Sequence, residues 1–162
     1  MNRILTETLN CTLMIVSWKE SPHGELDGHG RLTREQIALT ASEGGVESAW
    51  IDSIKYHRSD GTADCVALMR LSGNFAGRRG SVVLKGHGTY DRTVSRQTCS
   101  VLPGSGVGEL VGIAGTAVSA SADDDFPFVS FVFRFTIGTP WPTRTTGHWI
   151  ARDIWTPGSQ GN

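Results

Sequence analysis

Short runs rich in β-branched and aromatic residues return every ten to fifteen positions along this chain, and each is closed off by Gly, Asp, Ser or Pro. Almost nothing repeats at helical spacing, so the chain is predicted to be all-β. The runs are Cys11–Trp18, Leu32–Ala41, Ala49–His57, Ala63–Leu71, Ser81–Tyr90, Val94–Leu102, Leu110–Ala120 and Phe128–Ile137. Turn chemistry separates them near 22–25, at SerAspGlyThr 59–62, at GlyArgArgGly 77–80 and at ProGlySerGly 103–106. Eight runs with short connections predict an eight-stranded antiparallel up-and-down barrel, because closure removes the exposed edges an open sheet must protect. A two-sheet sandwich gives much the same signals.

At 162 residues the chain fits one domain, residues 1–162, that buries about 70% of its unfolded surface. A formal net charge of −1 with mixed signs offers no polybasic stripe, so nucleic acid is not expected as a partner. The apolar run near the N-terminus is short and interrupted by Glu7, which argues against a leader or a membrane span. A soluble, cytoplasmic protein is expected. Cys11, Cys65 and Cys99 are odd in number and lack CxxC spacing, which suits reduced thiols in a core.

Residues 101–116, VLPGSGVGELVGIAGT, test the possibility of a phosphate loop. A Walker loop requires Lys and then Ser or Thr after its last Gly, whereas Glu109 follows Gly108. The dinucleotide spacing fails too, since the sixth position from Gly104 is Glu109 and from Gly106 is Val111. The stretch reads as a Gly-rich connection into a strand, with Glu109 bonding loop N–H groups.

SGNFAGRRGSVVL at 72–84, followed by VLPGSGVGELVGIAG, resembles an uncharacterised bacterial family whose members adopt an allene oxide cyclase-like β-barrel. VSWKE at 16–20, RLTRE at 31–35 and DGTA at 60–63 agree in the same order, so the resemblance spans about residues 11–136. It implies an eight-stranded, lipocalin-like barrel with a ligand-sized interior, but no one reaction. Where family members commonly carry Glu in the fourth strand and Trp in the sixth, this chain has Met69 and Cys99, and the last strand lacks an Asp usual there. The family usually ends near that strand. Here residues 138–162, with Trp141, Trp149 and Trp155, form a C-terminal extension expected to pack on or cap the barrel.

A period of two places side chains along each strand. Cys65, Ala67, Met69 and Leu71 share an apolar face expected to line the barrel, with Asp64 and Arg70 opposite. Trp50, Asp52, Ile54 and Tyr56 share one face of the third run, and Ile51, Ser53, Lys55 and His57 the other. Leu13 and Ile15 oppose Met14, Val16 and Trp18; Val129, Phe131, Phe133 and Phe135 oppose Phe128, Ser130, Val132 and Arg134. Both of these strands are apolar on two sides, so a second subunit or the Trp-rich extension is expected to cover them, and a homodimer is allowed.

Asp52 with Tyr56 is the candidate catalytic pair, because a buried carboxylate and phenol can polarise a carbonyl. The alternative is that Asp52 bonds turn backbone or faces solvent. Arg134 is either an outward polar residue or a buried cation for a carboxylate or enolate. Trp50, Cys65, Ala67, Met69, Cys99, Phe131, Phe133 and Trp141 are the candidate substrate-binding residues. No metal or cofactor is expected: the five histidines never pair as HxH or HxxxH, the G-x-S-x-G elbow is missing, and Asp123–Asp125 lacks calcium-loop spacing.

The expected function is a cofactor-independent cyclase or isomerase of secondary metabolism. It would hold a hydrophobic small molecule in a near-attack conformer, for example for a [4+2] or other intramolecular ring closure. A lipocalin-like carrier without catalysis is the alternative from another class, and a dimeric scaffold with a filled barrel is a third.

Overall fold

The structure is a computed structural model describing residues 4–138. Its strands are β1 (Leu5–Pro22), β2 (Arg31–Glu43), β3 (Val46–His57), β4 (Ala63–Phe75), β5 (Arg78–Tyr90), β6 (Val94–Val101), β7 (Val107–Gly108), β8 (Ile113–Ala122) and β9 (Phe128–Ile137). A single 3-10 turn, Asp123–Asp125, joins β8 to β9. Every pairing is antiparallel, each long strand lies beside its neighbours in sequence, and β1 pairs with β9 to close the ring. The result is an eight-stranded up-and-down barrel, with the two-residue β7 pairing with β5 beyond the end of β6, on the edge that β4 leaves free. The sandwich alternative is excluded by this closure. Candidate residue Trp141 and the rest of the Trp-rich extension lie outside the described residues.

The β4–β5 hairpin turns two residues earlier than its sequence suggests. Phe75 pairs with Arg78, leaving Ala76 and Gly77 as a two-residue loop with φ of +52° and +88°, a type I′ turn. Asn74 Oδ1 accepts the Gly77 N–H at 2.7 Å, so GlyArgArg is the turn's end and the start of β5.

A second departure lies in β1. Ile15 faces Leu39 while Ser17 faces Ala38, so Val16 has no partner across the ladder. This β-bulge reverses the alternation for the rest of the strand. Cys11 and Leu13 point inward before it; Trp18 and Glu20, not the odd-numbered residues, line the interior after it.

The two ends of the barrel differ. One is filled: Phe75, Phe133, Phe135, Leu13, Leu71, Leu84, Val46 and Val82 are fully buried. Phe75 meets Phe133 and Phe135 edge-on at 6.0 and 6.3 Å. The Gly-rich connection of 102–112 seals this end with the fully buried Leu110. It is pinned by Ser105 Oγ, which lies within hydrogen-bond distance of both backbone groups of Val83, and by Glu109, whose carboxylate accepts the Arg79 N–H at 2.8 Å. A Cβ on Gly106 would sit 1.9 Å from the Leu110 carbonyl oxygen, so only glycine fits this fold-back. At the opposite end the interior is hollow.

Candidate functional site

The open half of the barrel holds a cavity of about 490 Å³. Period-two alternation builds its walls. Ile37 and Leu39 of β2, Ile51 of β3, Met69 of β4 and Val129 and Phe131 of β9 supply the apolar part. Ser95 and Gln97 of β6 with Ser119 and Ser121 of β8 make a polar wall. Ser121 Oγ is buried and has no hydrogen-bond partner. At the mouth the bulged end of β1 brings Trp18 against Phe126, ring centroids 6.3 Å apart and tilted by 41°.

A buried ion pair projects into this space. Lys55 Nζ of β3 lies 2.9 Å from Glu35 Oε1 of β2, with side-chain exposures of 19% and 7%. That pair is the most buried ion pair among the described residues. Lys55 also stands 5.6 Å from the centre of the Tyr90 ring, a cation–π contact. The Tyr90 hydroxyl lies 2.9 Å from both Asp123 Oδ2 and the Arg92 carbonyl. The Asp123 carboxylate, first of all, holds the Tyr90 pKa above its ordinary value. Beside Lys55, His57 Nε2 is 2.8 Å from Thr33 Oγ1 and 3.1 Å from Glu20 Oε1.

Burial, and then the positive charges of Arg31 and Lys55, hold the His57 pKa below the usual imidazole value, outweighing Glu20. The folded form therefore binds this proton less readily than the unfolded chain, whose imidazole titrates near 6.5, or about there. The penalty on folding is absent above that pH and complete below the folded-state pKa, so stability falls as pH drops through the window. His57→Gln is expected to remove this part of the dependence. The difference between urea midpoints at about pH 7.5 and about pH 5 should shrink; an unchanged difference would refute the assignment.

Of the residues singled out in the sequence, Met69 and Phe131 line the cavity. Phe133 lies in the filled half, fully buried. Cys65, Ala67 and Cys99 share the inward face of their strands, yet none lines this cavity; Ala67 and Cys99 border the groove of about 850 Å³ instead. Burial pushes both thiols up, Cys99 to about 11. Trp50, Asp52, Tyr56 and Arg134 are on the outer wall. Asp52 receives a two-pronged bond from Arg34, Nε to Oδ1 at 2.9 Å and a terminal nitrogen to Oδ2 at 2.5 Å, which lowers its pKa. With Val66, Leu68 and His87 these two residues line this open outer groove of about 850 Å³. Tyr56 is 39% exposed, and its ring centre is 5.7 Å from the Arg58 guanidinium carbon. Arg134 is exposed, flanked by inward phenylalanines, which is the first of its two alternatives.

The reason for the β3 inversion is its register. Ile51 pairs with Ile37 and Met69, and both of those face inward, so Ser53 and Lys55 follow them while Asp52 and Tyr56 face out. Glu35 and Lys55 were within reach of sequence reasoning. Thr33, Glu35, Ile37 and Leu39 alternate on one face, and a carboxylate on such a face needs a partner. Glu20 and Trp18 carried no such signal, because the bulge at Val16 shifts the phase of the alternation and an unbroken period of two puts them on the wrong face.

Among the described residues no helix is long and apolar enough to cross a membrane, and no three His, Cys, Asp or Glu side chains are grouped to hold a metal ion. No curated protein matches the chain. The structure is similar to the crystal structure of a protein with unknown function from the DUF3224 family of Shewanella oneidensis MR-1. The TM-score is 0.59 at 26% identity, over 83% of this chain and 97% of that one. The model of the family described as "Protein of unknown function (DUF3224)" matches residues 9–133, and the chain belongs to that family.

Proposed function

We propose that the barrel binds a small apolar molecule in its hollow half. The observation that carries this reading is the 490 Å³ cavity, walled by aliphatic and aromatic side chains on β2, β3, β4 and β9 and by serines and Gln97 on β6 and β8. That size and composition fall within the range of small-molecule sites. A neutral fluorescent probe, N-phenyl-1-naphthylamine, is expected to bind one per chain with an emission increase. Met69→Trp, which adds bulk in the cavity wall, should weaken it roughly tenfold or more, whereas Leu68→Ser on the outer face should not. Binding insensitive to Met69→Trp, or lost only with Leu68→Ser, would overturn the proposal.

The Lys55–Glu35 pair supports a second reading, cofactor-independent ring closure or isomerisation of a hydrophobic substrate. The resemblance to allene oxide cyclase-like barrels supports this reading through the barrel geometry alone. An intramolecular closure needs no co-reactant. The walls would hold the substrate folded, and the Lys55 ammonium would donate a hydrogen bond to a carbonyl or enolate oxygen as charge builds there. Asp52, Tyr56 and Arg134 do not enter this version, since they stand outside the cavity. A linear polyene precursor cyclised faster than its spontaneous rate by the protein, and not by folded Lys55→Met, would support it. Tight binding with no product would leave the carrier reading alone.

A further inference from the structure

We infer that the cavity prefers an apolar molecule bearing one positive charge, a hydrophobic amine or ammonium; this rests on the reading that the cavity takes a small molecule. Four charged side chains line it: Glu20, Glu35 and Asp123 are acidic and Lys55 is basic. Lys55 is answered by Glu35 at 2.9 Å, so the inner charges cancel. Glu20 and Asp123 remain at the mouth with no cation bonded to either. Asp123 accepts from the neutral Tyr90 hydroxyl at 2.9 Å. Glu20 meets His57 at 3.1 Å, and His57 is held toward its neutral form by burial and by Arg31 and Lys55.

The aromatic residues at the same mouth point the same way. Trp18 and Phe126 pack at 6.3 Å, and Phe128 is also among the lining residues. Aromatic faces carry negative potential and attract ammonium groups. An anion would meet two carboxylates and these rings, and at Lys55 would have to share an ammonium whose charge Glu35 already neutralises. A cation would place its charge between Glu20 and Asp123 and its apolar body against Ile37, Ile51 and Met69. Ser121 Oγ, buried without a partner, can donate or accept and adds no charge of either sign.

The test compares n-octylamine, 1-octanol and octanoate by titration calorimetry near neutral pH, below micellar concentrations, on the full chain. The ammonium is expected to bind on the order of tenfold tighter than octanoate, with octanol between them. Glu20→Gln with Asp123→Asn should bring amine and acid to within about twofold of each other. Raising ionic strength on the unmodified protein should narrow the same gap, a check that does not depend on how the variant folds. Octanoate binding as tightly as the amine, with octanol also bound, overturns the charge preference and leaves the small-molecule reading in place. Failure of all three ligands overturns the preference as well. Failure of N-phenyl-1-naphthylamine in addition overturns the underlying reading.

Discussion

Phe133→Ala is expected to lower the unfolding free energy by about 3–5 kcal/mol, the range for removing a fully buried aromatic ring. Phe133 has no exposed surface. It stands 6.0 Å from Phe75 and 5.0 Å from Phe135. Its backbone is held on both sides, opposite Leu9 of β1 and Ala117 of β8, so the strands cannot close over the gap. The lost edge-to-face contact with Phe75 adds to the lost burial. Phe131 is the internal control. It is nearly as buried but borders the cavity, so its removal enlarges an existing void and should fall at or below the low end of that range. Urea unfolding with the slope monitored measures both. Equal losses at the two positions would mean that the barrel is not divided into a filled and a hollow half.

The other large effect belongs to the ion pair. Lys55→Met leaves the Glu35 carboxylate, 7% exposed, without its 2.9 Å partner. Stranding a buried charge costs about 3–5 kcal/mol, and the open mouth, which lets water approach, places the value near 3, or about that. Glu35→Leu should be destabilising for the mirror reason, though less so, since Lys55 is 19% exposed and its flexible stem can lift the ammonium toward water. Combining the two should recover much of the loss, because the double variant leaves no unpaired charge in an apolar wall. The coupling read from the double-mutant cycle should therefore exceed about 1 kcal/mol. Glu47→Ala, which breaks the exposed Arg79–Glu47 pair, should change stability by less than about 1 kcal/mol. A coupling between Glu35 and Lys55 no larger than that would show the pair to be as solvated as the surface one.

Strand number, sequential order and most strand positions were legible because turn residues punctuate the chain so regularly. β9 runs over Phe128–Ile137, as its alternation indicates. The inward face of β4 is also where Cys65, Ala67, Met69 and Leu71 place it, since the other face carries Asp64 and Arg70. β3 lacks that contrast. Trp50, Ile54 and Tyr56 are outward yet apolar or aromatic, whereas Ser53 and Lys55 are inward and polar. Composition therefore points one way and register the other, and only cross-strand pairing with Ile37 and Met69 decides between them. The site was missed for the same reason. It consists of polar groups facing in, made tolerable by partners on a different strand, and those partners are invisible to a reading of one strand at a time. The bulge at Val16 is a still more local event, in which one residue exchanges the two faces of half a strand.

The β1–β9 seam described above also sets the order in which such a chain can assemble. Every other long-strand pairing joins neighbours along the chain and can form as a local hairpin, but the seam joins Leu5 to Ile137 and Met14 to Phe128. Its loop-closure entropy grows only slowly with length, yet it gains nothing until nearly the whole sheet has already curled. Ring closure is therefore the late step in folding. The phenylalanines of β9 act in it as the latch, since burying Phe131, Phe133 and Phe135 beside β1 is what holds the first and last strands together.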